Sequence, residues 1–176
     1  MDFKISVFLN QLEKKFIDYL FRFISWNCFL VPFLAILALT AFFFDKDFGQ
    51  RVFLSVALAV VFHFFFDQLV LKNLMTKFFP ARKRPYLAYP EKIRPFGKKS
   101  QDSSFPSNHM AGTLSVLTIF LYYYNGWWPA IACFAFLMAF ARVRNGMHYP
   151  SDVLAGAALG ICWAMLGIYL TNHFLI

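Results

Sequence analysis

The chain has 176 residues, of which 60% are hydrophobic and only 15% are charged. A soluble domain is typically about 45–50% apolar and about 25% charged, so this composition excludes an ordinary soluble domain and indicates a membrane protein. Lys and Arg number 17 against 9 Asp and Glu, a formal net charge of +8. The excess is concentrated in a basic block between Lys72 and Lys99, which lies between two apolar runs and is therefore held at a membrane surface. This placement favours a lipid phosphate over a nucleic acid as the partner of the block.

Residues 1–22 precede the first long apolar run and are predicted to form an amphipathic helix in the membrane interface. Apolar residues recur there near helical spacing, with charged residues between them; they are Phe3, Val7, Phe8, Leu12, Phe16 and Leu20. The segment lacks the uninterrupted apolar core of a signal peptide, so no cleavage is expected. A sixth, imperfect membrane span is the alternative interpretation of these residues.

The rest of the chain, residues 23–176, is predicted to be one transmembrane domain. A spanning helix needs about 20 largely apolar residues. Five apolar runs approach that length: Phe23–Phe44, Val52–Leu71, two runs within Met110–Ala141, and Val153–Thr171. The turn signal Asn125-Gly126 separates the third run from the fourth. The sequence therefore predicts an all-α integral membrane bundle of five transmembrane helices, or six if residues 1–22 also span.

The polar residues of the chain fall at particular ends of these spans. The end of the second span, the start of the third, the end of the fourth and the start of the fifth must share one membrane face, because the chain crosses the membrane between them. These ends carry two histidines, an aspartate, a serine and several basic residues; the candidates are Lys77, Arg84, Ser107, Asn108, His109, Arg142, His148 and Asp152. Topology alone therefore predicts one polar site at one membrane surface.

The residue types at this surface suit phosphoryl transfer. Lys77, Arg84 and Arg142 supply the positive charge that holds phosphoryl oxygens. Ser107 is a natural N-cap, which leaves the backbone N–H groups after it as an anion site. His148 and Asp152 are four residues apart, so the carboxylate can hold the imidazole in one tautomer and leave its other nitrogen free to attack phosphorus.

His109 can then donate a proton to the leaving oxygen. No group of His, Cys and Asp residues has metal-ligand spacing, and no Gly-rich nucleotide loop occurs in the sequence. We therefore expect a metal-free reaction with no cofactor.

At these residues the sequence resembles the type 2 phosphatidic acid phosphatase superfamily, whose three motifs read K-x6-R-P, P-S-G-H and S-R-x5-H-x3-D. They appear here as Lys77…Arg84-Pro85, Pro106-Ser107-Asn108-His109, and Ala141-Arg142…His148…Asp152. The resemblance covers about residues 52–172. Asn108 stands where the family usually has Gly, and Ala141 replaces the usual Ser before Arg142. Neither departure removes a charged or nucleophilic group.

The resemblance implies a catalytic and a phosphate-binding set. His148 would be the nucleophile that forms a phosphohistidine, Asp152 its partner, and His109 the general acid. Phosphate would be bound by the remaining members of the set, which are Lys77, Arg84, Ser107, Asn108 and Arg142. In contrast, Arg82 and the other basic residues of the block are expected to form a surface that faces lipid headgroups.

The function expected from these motifs is hydrolysis of a phosphate monoester or diphosphate headgroup on a membrane lipid. The chain is similar in size to bacterial lipid A 1-phosphatases, undecaprenyl-diphosphate phosphatases and phosphatidylglycerophosphate phosphatases. Two alternatives remain open, namely a phosphotransferase that uses the same His and a non-catalytic protein that binds anionic lipid. The family places the site on the periplasmic face of the bacterial inner membrane, whereas the positive-inside rule would place this basic face in the cytoplasm. We follow the family, because cations retained for phosphate binding distort the charge count.

Two further groups of residues are interpreted as structural. His63 and Asp67 are four residues apart inside the second span, where they are expected to form a polar pair against another helix. The three cysteines all lie in apolar runs and are expected to be small buried hydrophobes, without disulfides or a metal cluster; they are Cys28, Cys133 and Cys162.

Overall fold

The computed structural model describes residues 1–12, 15–71, 77–78, 80–96 and 100–176. Helices dominate these ranges and no strand occurs in them, which confirms the predicted all-α class for the described residues. The helices, in chain order, are α1 Asp2–Asn10, α2 Lys15–Ile24, α3 Asn27–Phe44, α4 Gly49–Phe62, α5 Pro85–Ala88, α6 Asn108–Tyr123, α7 Trp128–Arg144 and α8 Pro150–Leu170. Helix α4 continues as the π-helix His63–Leu71, α8 continues as the π-helix Thr171–Leu175, and a 3-10 turn at Asn125–Trp127 precedes α7.

A helix occupies each of the five predicted span positions, and the protein is a multi-pass membrane protein. Three described helical stretches are long and apolar enough to cross a bilayer, at Gly49–Asp67, Asn125–Arg144 and Pro150–Leu175. The pair Asp18–Ile24 and Phe29–Phe44, bent by 53°, adds a fourth if it forms one span. Helix α6 has 16 residues, about 24 Å at 1.5 Å per residue, so it is shorter than a typical bilayer core. The number of five or six spans therefore stays a prediction.

The outer surface of the bundle is apolar, as a lipid-facing surface must be. Large hydrophobic side chains such as Phe43, Phe136 and Leu154 are each about 70% exposed. Cys133 and Cys162 are free thiols on the exposed surface, so the prediction that they are buried is wrong. Apolar residues of a membrane helix face lipid as readily as they face the core, and hydropathy cannot distinguish the two.

The amino-terminal segment forms two helices where the sequence predicts one. Helix α1 ends at Asn10 and α2 begins at Lys15. The side chain of Asn10 is buried and donates hydrogen bonds to the carbonyls of Arg94 at 2.8 Å and Arg144 at 2.7 Å. Helix α1 is therefore attached to the transmembrane bundle by a polar contact on its inner face. Whether it also lies in the membrane interface stays a prediction.

The core of the bundle is formed where α8 packs against α6 and α4. Three glycines of α8 line these contacts. A Cβ atom at Gly160 would lie 2.3 Å from the Ala111 carbonyl oxygen, and one at Gly167 would lie 2.6 Å from that of Ser55. Helices approach this closely only where one of them lacks a side chain. The glycines of α8 therefore set how close α6 and α4 lie to it.

A buried polar pair joins the π-helix after α4 to α8. His63 Nδ1 lies 2.7 Å from Asp67 Oδ2, and the Trp163 indole N–H donates to Asp67 Oδ1 at 3.0 Å. Asp67 is fully buried. The pair contacts another helix, as the sequence predicts, so its polar groups are satisfied within the bundle.

Substitution of Gly160 by Ala should destabilise the protein by about 1–3 kcal/mol, since overpacking of a close contact forces the two backbones apart. Thermal unfolding in detergent measures the effect. Gly126→Ala is the matched control, because a Cβ atom at Gly126 would meet no atom within 4 Å. Equal melting temperatures for the two variants would contradict the proposed role of Gly160 in packing.

Candidate active site

Backbone hydrogen bonds join the segments that the sequence predicts to share one membrane face. The Ser104 N–H donates to the carbonyl of Arg82 at 2.8 Å, which connects the chain before α6 to the chain before α5. The Ser107 N–H donates to the carbonyl of Asp152 at 3.0 Å, which connects the start of α6 to the start of α8. These contacts place the three motif regions side by side at one end of the bundle.

The turn between α7 and α8 carries His148 into this end of the bundle. Gly146 has a φ of +69°, which favours glycine, and a Cβ atom there would lie 2.7 Å from Ile93 Cγ2. The Tyr86 N–H donates to the carbonyl of Gly146 at 3.2 Å, and the His148 N–H donates to that of Arg142 at 3.3 Å. The turn is therefore held on both sides, and the position of the His148 backbone is defined.

The imidazole of His148 is 2% exposed and has a defined tautomer. Its Nδ1 lies 2.7 Å from the Ser104 carbonyl oxygen, which can only accept a hydrogen bond, so Nδ1 carries the proton. Its Nε2 faces Nη1 of Arg84 at 3.3 Å. Because a guanidinium can only donate, the lone pair of Nε2 is directed toward the cation. The imidazole is therefore neutral, and its unprotonated nitrogen faces Arg84, a contact that a substrate would displace before this nitrogen could act as a nucleophile.

The surroundings of His148 favour its neutral form. Burial is the largest cause that lowers its pKa well below the usual value of about 6.5, and the charges of Arg142 and Arg84 lower it further. His109 also acts in the same direction, so both histidines predicted from the motifs lie within electrostatic range of each other. A neutral imidazole at physiological pH is the form that a nucleophilic role requires.

Two guanidinium groups, those of Arg84 and Arg142, are buried beside this imidazole. Arg84 donates to the carbonyls of Asp102 at 3.1 Å and Met147 at 3.2 Å, which fix its plane. Burial lowers the pKa of Arg84 from its usual value. Arg142 is 7% exposed, and its Nε has no hydrogen-bond partner among the described residues. This N–H is therefore a donor that a bound anion or a water molecule can engage.

The start of α6 adds further polar atoms to the site. Ser107 is the N-cap of α6, as predicted, but its hydroxyl makes no capping hydrogen bond. The Ser107 Oγ and the Asn108 side-chain oxygen are both buried without a partner among the described residues. An amide can present either its oxygen or its nitrogen in one position, so Asn108 can act as a donor there. The N-terminus of a helix of this length also favours an anion through its free N–H groups.

Asp152 lies beside His148, but its principal partners are different groups. Its Oδ2 accepts the Tyr149 N–H at 2.9 Å and caps the start of α8, and it lies 4.0 Å from His148 Nδ1. Because 4.0 Å exceeds hydrogen-bond distance, the Ser104 carbonyl and not Asp152 holds the imidazole tautomer in this structure. The Oδ1 of Asp152 instead accepts from Arg82 at 2.5 Å.

The structure therefore brings four of the other seven predicted residues into direct or electrostatic contact with His148, namely Arg84, His109, Arg142 and Asp152. Ser107 is linked to this group through its N–H, which donates to the carbonyl of Asp152. Asn108 adjoins them at the first residue of α6. Lys77 is exposed, and no contact in the described parts of the chain links it to the others.

Sequence reasoning missed the contributions of Ser104 and Arg82. Arg82 was expected to be part of a headgroup-facing surface, yet it contacts the buried carboxylate of Asp152. Neither residue belongs to a motif, and no spacing signal could have found them. Within the described ranges, no group of three or more His, Cys, Asp or Glu side chains is arranged to hold a metal ion.

Residues 29–175 match the PAP2 superfamily. Lipid A 4'-phosphatase of Bacteroides thetaiotaomicron is 25% identical over 91% of this chain and 72% of its own length. Undecaprenyl-diphosphatase BcrC of Bacillus subtilis is 32% identical over 53% of this chain and 47% of its own length. Among six curated relatives, the matched part spans between 19% and 72% of the relative's length.

The fold is also similar to a solved structure. The crystal structure of Aquifex aeolicus LpxE has a TM-score of 0.70 and 22% sequence identity, over 96% of this chain and 94% of that one. At this identity the likeness shows a shared fold.

The neutral state of His148 can be measured by NMR of isotope-labelled histidine in detergent. Because the pKa of His148 is lowered, its resonance should remain in the neutral form as the pH falls through 6.5, where a peptide histidine becomes protonated. The resonance is assigned by its absence in His148→Gln. By linkage, the unfolded chain then binds more protons than the native one below that pH, so wild type should lose more stability than His148→Gln between pH 7 and about pH 5. Titration of this resonance at or above pH 6.5 would contradict the proposed electrostatics.

Proposed function

This chain belongs to the PAP2 superfamily, and we propose from that premise that it is a membrane lipid phosphatase that acts through a phosphohistidine on His148. Its substrate is a lipid with a phosphate monoester or diphosphate headgroup. The observation that supports this best is the geometry of His148. Its Nδ1–H is engaged by the Ser104 carbonyl, and its Nε2 is directed at the guanidinium of Arg84 3.3 Å away.

In the first step, the Nε2 lone pair of His148 attacks the phosphorus atom of the headgroup. An N–P bond forms as the P–O bond to the lipid breaks, and His109 donates a proton to the departing lipid oxygen. The non-bridging oxygens are held by Arg84, Arg142 and the hydroxyl and N–H groups at the start of α6. Phosphate oxygens there would supply partners for Arg142 Nε and Ser107 Oγ, which have none among the described residues.

In the second step, water replaces His148 on phosphorus. His109, now neutral, takes a proton from the water molecule. At the same time the water oxygen bonds to phosphorus and the N–P bond breaks. Inorganic phosphate leaves, and His148 returns to its starting tautomer. The negative charge of Asp152, 4.0 Å from Nδ1, stabilises the positive charge that the imidazole carries between the two steps.

The charge of the transition state is balanced by side chains in this scheme. Two buried guanidinium groups face the phosphoryl group, and Lys77 is proposed as a third cation that reaches it in the complex. A planar guanidinium can bind two phosphate oxygens at once, and Nη2 of Arg84 is not used by the carbonyls of Asp102 and Met147. We therefore propose that the reaction needs neither a metal ion nor a cofactor.

The position of the site supports a lipid substrate. The site lies at one end of a bundle of apolar helices, where the phosphate of a lipid is found while its tail stays in the bilayer. The names of the relatives include a lipid A 4'-phosphatase and an undecaprenyl-diphosphatase. The substrates that we propose are lipid A 1-phosphate, undecaprenyl diphosphate and phosphatidylglycerophosphate, as the resemblance of the motifs implies.

The protein is proposed to reside in the bacterial inner membrane with the site facing outward. The site's own cations, among them Arg84 and Arg142, are required for phosphate binding. They therefore do not report on insertion in the way that the positive-inside rule assumes.

The substrate is tested with purified protein in detergent and a metal chelator, by measuring release of inorganic phosphate. The panel contains lipid A, undecaprenyl diphosphate, phosphatidylglycerophosphate and phosphatidate. We expect phosphate release from at least one of the first three without added metal. A requirement for a divalent cation would overturn the proposed mechanism, and transfer of phosphate to an acceptor other than water would favour a phosphotransferase.

His148→Ala should lower phosphate release by at least about 10³-fold, since it removes the nucleophile, while lipid binding changes by only a few-fold. Binding to vesicles that contain the active substrate separates the two effects. His173→Ala is the matched control, because His173 is exposed near the end of the chain. Turnover in His148→Ala close to that of wild type would contradict the phosphohistidine. If the wild-type protein binds the lipids but releases no phosphate, the result would favour a non-catalytic lipid-binding protein.

A further inference from the structure

The first helix of the chain reaches the candidate active site through Asp2. The carboxylate of Asp2 accepts from Nη2 of Arg82 at 3.0 Å, and the hydroxyl of Ser151 also donates to it. Ser151 immediately precedes Asp152 in the first turn of α8. Asp2 lies outside residues 29–175, which match the superfamily, so neither the motifs nor the family assign it a role.

The guanidinium of Arg82 connects Asp2 to the buried carboxylate of Asp152. Its Nη1 donates to Asp152 Oδ1 at 2.5 Å and to Ser151 Oγ at 2.8 Å. Its Cζ atom lies 4.2 Å from the centre of the Tyr149 ring, a distance that suits a cation–π contact. The side chain of Arg82 is thus held by four groups, although it is 36% exposed.

We propose that Arg82 and Asp2 are positioning residues for the phosphatase reaction: Asp2 fixes Arg82, and Arg82 fixes Asp152 beside His148. This inference rests on the proposed function, because Asp152 matters only if His148 becomes charged during turnover. Neither residue contacts phosphorus, and neither gains or loses a proton.

The physical reason lies in the burial of Asp152. Its carboxylate is fully buried, and a buried carboxylate without a cation is strongly unfavourable. Arg82 supplies that cation at Oδ1, while the Tyr149 N–H donates to Oδ2 at 2.9 Å. Oδ2 remains 4.0 Å from His148 Nδ1, where it stabilises the charge that develops on the imidazole as Nε2 bonds to phosphorus. If Arg82 moves, this stabilisation changes, while the phosphate-binding groups stay in place.

Asp2 can be tested separately from the docking of its helix. Helix α1 is also attached by Asn10, which bonds the carbonyls of Arg94 and Arg144. In addition, the Arg144 guanidinium donates to the carbonyl of Leu9 at 2.8 Å. These contacts lie at the other end of α1, so the helix should stay docked when the carboxylate of Asp2 is neutralised.

The experiment is a double-mutant cycle in the full chain, with the substrate that the panel identifies. The variants are Asp2→Asn, Arg82→Met and both together, with Arg82→Lys as the conservative change. We expect kcat to fall about 3- to 10-fold in Asp2→Asn and about 100-fold in Arg82→Met, with KM within about twofold of wild type, since small displacements of a catalytic group cost this much. Arg82→Lys should recover part of the loss. The double variant should match Arg82→Met, because Asp2 acts through Arg82.

Asp47→Asn controls for the change in net charge, because Asp47 is an exposed carboxylate outside the site, and it should leave kcat unchanged. Thermal unfolding in detergent checks stability, and Asp2→Asn with Arg82→Lys carries the test if Arg82→Met does not fold. Additive losses in the cycle, or a raised KM with unchanged kcat in Arg82→Met, would overturn the inference. The inference would also be overturned if Asp2→Asn and Arg82→Met both keep the wild-type kcat while His148→Ala is inactive. In that case the proposed function would stand. A wild-type protein that releases no phosphate from any substrate would remove the proposed function and this inference with it.

Discussion

The rest of this site depends on the burial of two guanidinium groups next to one imidazole. Removal of a charged group from water costs several kcal/mol unless other groups compensate. Arg84 is compensated in part by the carbonyls of Asp102 and Met147, whereas Arg142 Nε has no partner in the described structure. Burial lowers the pKa of His148 most, and the positive charges of Arg142 and Arg84 lower it further, so the imidazole is neutral. In the proposed reaction, this one arrangement would both prepare the nucleophile and favour an anionic ligand.

Helix packing holds this unfavourable arrangement in place. A Cβ atom at Gly156 would lie 2.4 Å from the carbonyl oxygen of Ser107, so the absence of a side chain lets the start of α6 lie directly against α8. That approach allows the Ser107 N–H to reach the carbonyl of Asp152. The stability of the helix contacts and the geometry of the site thus have a common origin, because the glycines that bring the helices together also bring the motifs together.

The amino-terminal helix α1 precedes the residues that match the superfamily and packs at the side where the site is located. Helix α1 contacts the turn that carries His148 through Asn10, and it reaches Asp152 through Asp2 and Arg82. A helix predicted to lie in the membrane interface is usually regarded as a membrane anchor. Here α1 also contributes polar side chains close to His148 and Asp152, so its position relative to the bundle has consequences for the site.

The sequence by itself determined the helical class, the positions of the long apolar helices and the set of motif residues, because hydropathy and short spacings are properties of neighbouring residues. Alternating topology was also sufficient to bring the motifs to one end of the bundle. Only the tertiary structure decided which groups touch. The partner of His148 Nδ1 is the carbonyl of Ser104, 44 residues away, and the cation beside Asp152 is Arg82, 70 residues away. It also decided that Cys133 and Cys162 face outward. Such contacts depend on how helices rotate and approach one another, and local sequence does not encode that geometry in a form that spacing rules can read.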